Sequence, residues 1–244
     1  MSERVVRFSP RQRAEHAAVI VLFLALALTG FPQRFAGAGW AQATVDLLGG
    51  IERARALHRL SGILFGALLA LHLGWNAALL LRGRGSLAIV PTRKDFMDVV
   101  ANLRYYLRLA DKPPLFDRYD YREKFEYWGL LLGGLVMTLT GFVLYFPLTV
   151  TRLLPGELIP VAKVAHSNEG LLAFLVVVTW HVYNAHFSPE VFPFNTSIFT
   201  GKISRERLLK DHPLEHARLF PEERAPEARG SEEALSSSKP ETRG

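Results

Sequence analysis

Six histidines stand in or beside long apolar runs of this sequence: His16, His58, His72, His166, His181 and His186. Ionisable side chains at membrane depth are expensive, so each marks a functional position by default. His166 and His181 are fifteen positions apart, which on a helix is about 22 Å of rise and roughly 60° of rotation. His58 and His72 are fourteen apart, about 21 Å and some −40°. Each helix thus carries an imidazole near either membrane face, both pointing broadly the same way. Imidazole is an axial ligand of haem iron, and two of them make a closed, low-spin centre that carries electrons and does not bind oxygen. Two facing helices with such pairs would hold two stacked haems. Gly62 and Gly170 follow His58 and His166 at a spacing of four, on the same helix face one turn on, where a porphyrin edge needs side-chain bulk removed.

Positioning such residues requires spans, and the sequence supplies four apolar runs at about 14–35, 56–81, 126–150 and 161–187. Each meets the roughly 20 residues needed to cross the hydrocarbon. The expected fold is all-α, an integral membrane four-helix bundle. Between spans two and three, residues 94–109 carry Phe96, Val99, Val100, Leu103 and Leu107 at helical spacing with charges between, which reads as an interfacial amphipathic helix. Residues 1–216 form one membrane domain, and 217–244, rich in Pro, Glu, Ser and Arg, read as a disordered tail. A basic start, a short apolar core and AGAGWAQA at 36–43 have features of a signal peptide. Pro32, Gln33 and Arg34 intervene before the small residues, however, and three further spans follow, so 14–35 is read as a retained span.

Charge is segregated as in membrane proteins: 49% of residues are hydrophobic and 21% charged, with a net charge of +6. The basic residues sit in juxtamembrane loops and follow orientation rules, which argues against nucleic acid. The N-terminal segment and the 82–125 connection are rich in Lys and Arg, whereas 32–56 and 151–160 are poor. A multi-pass membrane protein with both termini cytoplasmic follows. His58 and His166 then share the outer level, and His72 and His181 the inner one. His16 also falls at the inner level, and the residues alone leave open whether His16 or His72 completes that pair. Cysteine is absent, so disulfides, thiolate-held clusters and thioether-attached haem are excluded.

Other residues have plainer readings. Gly62 with Gly66, and Gly129 with Gly133, also suit close helix packing. Trp128, Trp180, Tyr127 and Tyr183 suit the interface belt. His186 is expected near the headgroups, and His212 and His216 are expected to be solvated. Arg53, Arg55, Arg59 and Lys163 stand at the outer level, where haem propionates would need cations. An alternative from another class is a haem-free membrane anchor or a small proton or metal transporter. It would want polar residues at mid-membrane, where this chain is apolar, as at 171–178.

The chain resembles a known family through RQRAEH (11–16), RALHRLSG (55–62), RYDYREKFEYWGL (118–130), AHSNEG (165–170), WHVYNAHF (180–187) and TGKISRERLLKDHP (200–213). In this order and spacing they resemble the cytochrome b (gamma) subunits of membrane formate dehydrogenases and their relatives in hydrogenases and thiosulfate reductases, over nearly all of 8–216. The resemblance implies two b haems, the outer held by His58 and His166 and the inner by His16 and His181. His72 departs from the pattern and leaves room for a third haem or a ligand exchange. It also implies (mena)quinone chemistry near the inner haem, beside His181, with Asp120 at a position where the family has Asn. The expected role is an electron-transfer subunit without a catalytic centre of its own. Its partner would be a periplasmic redox subunit, a molybdenum enzyme, a hydrogenase or a multihaem cytochrome c, often joined through an iron–sulfur subunit.

Overall fold

The computed structural model describes residues 3–189, 191–192 and 194–223 of the chain. Ser9 starts the first long helix: its hydroxyl accepts from the Gln12 amide at 3.3 Å, while the Gln12 side chain accepts from the Ser9 amide at 3.0 Å. This reciprocal cap, with Pro10 in the first turn, satisfies the end of the helix where its own ladder cannot. The helices in chain order are α1 (Pro10–Arg34), α2 (Gly39–Leu47), α3 (Ile51–Leu81), α4 (Arg93–Tyr106), α5 (Tyr121–Tyr145), α6 (Pro147–Thr151), α7 (Leu158–Val176), α8 (Ser197–Thr200), α9 (Arg205–Asp211) and α10 (Pro213–Leu219). From Val177 to Phe187 the α7 helix continues in π-helical form, as Val177–His181 and Tyr183–Phe187. A short ribbon pairs β1 (Arg4–Val6) with β2 (Lys202–Ser204).

Four helices are long and apolar enough to cross a membrane: α1, α3, α5 and α7 with its continuation to Phe187. Their burial pattern is the reverse of a water-soluble bundle. Val21, Leu24, Leu71 and Leu139 face outward, while small or polar residues such as Ala54, Ser61, Thr29 and Ala162 are buried. Lipid solvates the outward face, and small residues let the backbones approach. A Cβ added at Gly66 would lie 2.9 Å from a Thr138 methyl, and one at Gly134 would lie 3.1 Å from the Phe65 ring. Glycine is therefore required where α3 meets α5.

The helix ends differ from the apolar runs. α1 and α3 begin earlier than 14 and 56, and α5 occupies 121–145 rather than 126–150. The helices start in polar sequence ahead of the apolar runs, with a side-chain cap at Ser9 of α1, and Pro147 starts a separate helix rather than extending α5. The 32–56 loop contains α2, which buries Ala41 and Val45.

The described residues divide into two compact units, one within Val6–Ile89 and Lys124–Lys202, the other drawn from residues 3–5, Val90–Glu123 and residues 203–223. The first holds most of the four spans. The second is laced by charge. Arg118 donates to Glu215 at 2.6 Å, Arg218 forks onto Asp117 at 2.7 and 3.0 Å, and His212 Nδ1 donates to the Asp117 carbonyl at 2.7 Å. His212 and His216 are buried, which corrects their reading as solvated. Spacing on the two short helices α9 and α10 gave no sign of the segment around Asp117 that packs on them. In α4 the polar face is the inner one: Asp95 caps the helix through the Thr92 amide at 2.6 Å, and Asn102 donates to the Tyr121 hydroxyl at 2.8 Å. Phe96, Val100, Leu103 and Leu107 point outward, as an interfacial helix requires. Residues 217–219 end α10, and 221–223 form a 3₁₀ turn; the rest of the expected tail, 224–244, lies outside the described residues.

Candidate haem centres

His58 on α3 and His166 on α7 face each other with ring centres 6.2 Å apart. His16 on α1 and His181 in the π-helical continuation of α7 do the same, also at 6.2 Å. A metal held by one nitrogen of each imidazole at about 2.0–2.1 Å, with each ring centre about 1.1 Å behind its nitrogen, needs ring centres about 6.2–6.4 Å apart. Both pairs meet that separation.

The far nitrogens are occupied in a way that leaves the near ones for a metal. Thr29 Oγ1 lies 3.0 Å from His58 Nδ1, and Thr140 Oγ1 lies 2.9 Å from His166 Nδ1. Each hydroxyl donates to a carbonyl one turn back, Ala25 and Val136, both at 2.6 Å, so each accepts from its histidine. Glu126 Oε2 lies 2.7 Å from His181 Nδ1. Three of the four rings thus carry their proton on Nδ1 and present Nε2, the arrangement that fixes tautomer and ring plane in metal-bound histidine. Space for a flat group is kept beside them. A Cβ at Gly62 would meet only a Leu26 methyl at 4.0 Å, and one at Gly170 only the Met137 methyl at 3.4 Å. The residues present fit b haem.

Residues 7–193 match the family described as prokaryotic cytochrome b561. The chain belongs to that family. It is therefore a membrane cytochrome b that serves electron transfer, and the haem-free anchor or transporter falls away. Among curated proteins it is 23% identical over 235 residues to the cytochrome b556(Fdn) subunit of the nitrate-inducible formate dehydrogenase of Escherichia coli K12, covering 96% of this chain and 99% of the relative. The corresponding subunits of Escherichia coli O157:H7 and Shigella flexneri match with the same figures.

In this cytochrome the supports form a repeat that sequence reading missed. LTGF occurs at 28–31 and again at 139–142. Each copy gives a threonine to a histidine across the bundle and a glycine against the same ring. A Cβ at Gly30 would lie 3.0 Å from His58 Cε1, and one at Gly141 would lie 3.3 Å from His166 Cε1. Fourteen residues before each threonine stands a glutamate, Glu15 or Glu126. Glu126 holds His181, and Glu15 Oε2 holds His72 Nδ1 at 3.0 Å. α1 with α3 and α5 with α7 are thus two copies of one pattern. The signal was in the sequence, as two runs opening on Glu and closing on LTGF.

Two differences between the copies matter. The residue after the glutamate is His16 in the first copy and Tyr127 in the second. Tyr127 hydroxyl lies 2.9 Å from His72 Nε2, and Asn76 Nδ2 lies 3.2 Å from the same nitrogen. Both nitrogens of His72 are therefore engaged by protein groups. The second difference is one extra residue between the histidines of α7. A π turn takes more residues than an α turn, so each advances less around the axis. Val177–His181 removes rotation in the direction that brings His181 back over His166.

The remaining expected residues lie elsewhere. His186 stacks on Phe194 with ring centres 4.0 Å apart, beside Phe199. Asp120 is buried in the second unit. Its Oδ2 accepts from Arg122 Nε and NH2 at 2.9 and 2.7 Å, and its Oδ1 accepts from the Glu123 amide at 2.8 Å. Glu123 returns a bond to the Asp120 amide at 3.0 Å, so the pair caps the start of α5.

Proposed function

We propose that this cytochrome b carries electrons through two bis-histidine b haems, one held by His58 and His166, the other by His16 and His181, between a periplasmic-side redox partner and the quinone pool. The observation that carries this reading is the pair of 6.2 Å ring separations at two levels, set apart by about 20 Å of helical rise. Bound haem supplies a one-electron carrier at each level. The chain supplies ring planes fixed by Thr29, Thr140 and Glu126, and an apolar sheath that keeps water and oxygen chemistry away. With both nitrogens bonded, His72 takes a structural part, and the haem count is two.

Lys and Arg distribution supports cytoplasmic termini, which puts the His58/His166 level outside and the His16/His181 level inside. Quinone is then met beside His181. A contact from Asp120 rests on the family resemblance alone, since its carboxylate already caps α5. The similarity to a formate dehydrogenase cytochrome subunit supports a redox enzyme as partner, a molybdenum enzyme, a hydrogenase or a multihaem cytochrome c, which would supply the catalytic centre. The test is haem extracted and quantified per purified polypeptide, with a reduced-minus-oxidised spectrum. Two non-covalent haems are expected, falling to one in His58→Ala or His166→Ala. A spectrum and haem content unchanged by those substitutions would overturn the reading.

A further inference from the structure

We infer that Glu126 is a positioning residue that sets the redox potential of the His16/His181 centre, making it the harder of the two to reduce. The inference rests on the two-haem reading above. The His58/His166 pair is supported on both sides by neutral hydroxyls, at 3.0 and 2.9 Å. At the other level His181 is held by a carboxylate at 2.7 Å, the length of a charge-assisted bond. A carboxylate behind an imidazole raises the basicity of the ligand. Its negative charge also favours the iron state with the extra positive charge, and the low dielectric between spans strengthens that preference. Oxidised iron is stabilised, so the potential falls.

The other copy of the repeat shows what a neutralised version looks like. Glu15 also bonds a histidine, but Arg11 donates to its second oxygen at 2.8 Å, and the far nitrogen of His72 is closed by Tyr127. Glu126 differs on both counts. Its second oxygen is buried with no hydrogen-bond partner among the described residues, and the far nitrogen of His181 has no hydrogen-bond partner among them either, the ring centre lying 6.2 Å from that of His16. The His181 imidazole is therefore the group through which this charge acts on the centre.

The experiment is a potentiometric titration of the purified full-length protein, followed at the haem bands. Wild type is expected to give two one-electron components. Glu126→Gln keeps an acceptor of the same shape and removes the charge. It should retain two haems and shift the lower component upward by at least a tenfold change in its oxidised-to-reduced ratio, 59 mV for one electron. Thr140→Val should move only the other component. Unmoved components in Glu126→Gln, or the same component moving in both variants, would overturn the inference. If Glu126→Gln loses haem, Glu126→Asp decides, because it keeps the charge. Two haems with the lower component preserved support the inference, and loss of haem there too shows a purely structural role. Wild type without haem would instead refute the two-haem reading itself.

Discussion

The two histidine pairs have the same ring separation and differ in what stands behind the rings. At the His58/His166 level the support is symmetric: a threonine hydroxyl accepts from each ring, and a glycine lets each ring lie against the neighbouring helix. At the His16/His181 level one ring comes from the first span instead of the second, and its opposite number leans on a carboxylate. The separation of rings decides whether a haem is held. The groups behind them decide how readily it takes an electron. On the proposed two-haem reading, a level with hydroxyl support and a level with carboxylate support would be unequal carriers in one bundle.

Removal of a ring should break this comparison most severely. His166→Ala is expected to cost one haem of two, with the His16/His181 haem retained, measured as haem per chain. Next comes the potential shift at Glu126 described above. Crowding a ring ranks below these. In Gly30→Ala a methyl carbon arrives 3.0 Å from His58 Cε1, and the ring or helix must yield by a few tenths of an ångström. About a tenfold loss of haem affinity is expected at that level, in line with other disturbed supports of a metal ligand, read by haem transfer to a competing acceptor. Thr140→Val should keep both haems and move one potential by less than Glu126→Gln does, because a neutral acceptor is lost. The smallest effect on the centres is expected from His72→Phe. Both haems and both potentials stay, while the Glu15 oxygen and the Tyr127 hydroxyl that lose His72 lower stability by about 1–3 kcal/mol, seen as a reduced melting temperature.

Much of this architecture was legible without coordinates. Apolar length fixed the four spans, and helical rise assigned His58 with His166 to one level. Period and charge found the helix at 93–106. The residues alone did not decide between His16 and His72, because depth is the same for both. The proposed choice of His16 rests on hydrogen bonding: His72 has a partner on each nitrogen, and those partners, Glu15 and Tyr127, are far away in sequence. The glutamate–threonine–glycine repeat was present in the letters but lay among leucines and alanines common to any span. His212 and His216 looked solvated because burial in that unit is built from ion pairs between distant segments, which no local pattern reports.

A helix ordinarily has no room for an odd residue, since one more position turns everything beyond it by about 100°. α7 carries one more residue between its histidines than α3 does, and the π-helical stretch from Val177 absorbs it within a few positions. The number of residues between His166 and His181 is therefore a tolerant quantity rather than a fixed one. A chain shortened by one residue within 177–180 can straighten to a regular α-helix and bring the same imidazole to nearly the same place. A one-residue deletion in this stretch is therefore expected to be tolerated, with histidine spacings of fourteen and fifteen serving the same position in the bundle.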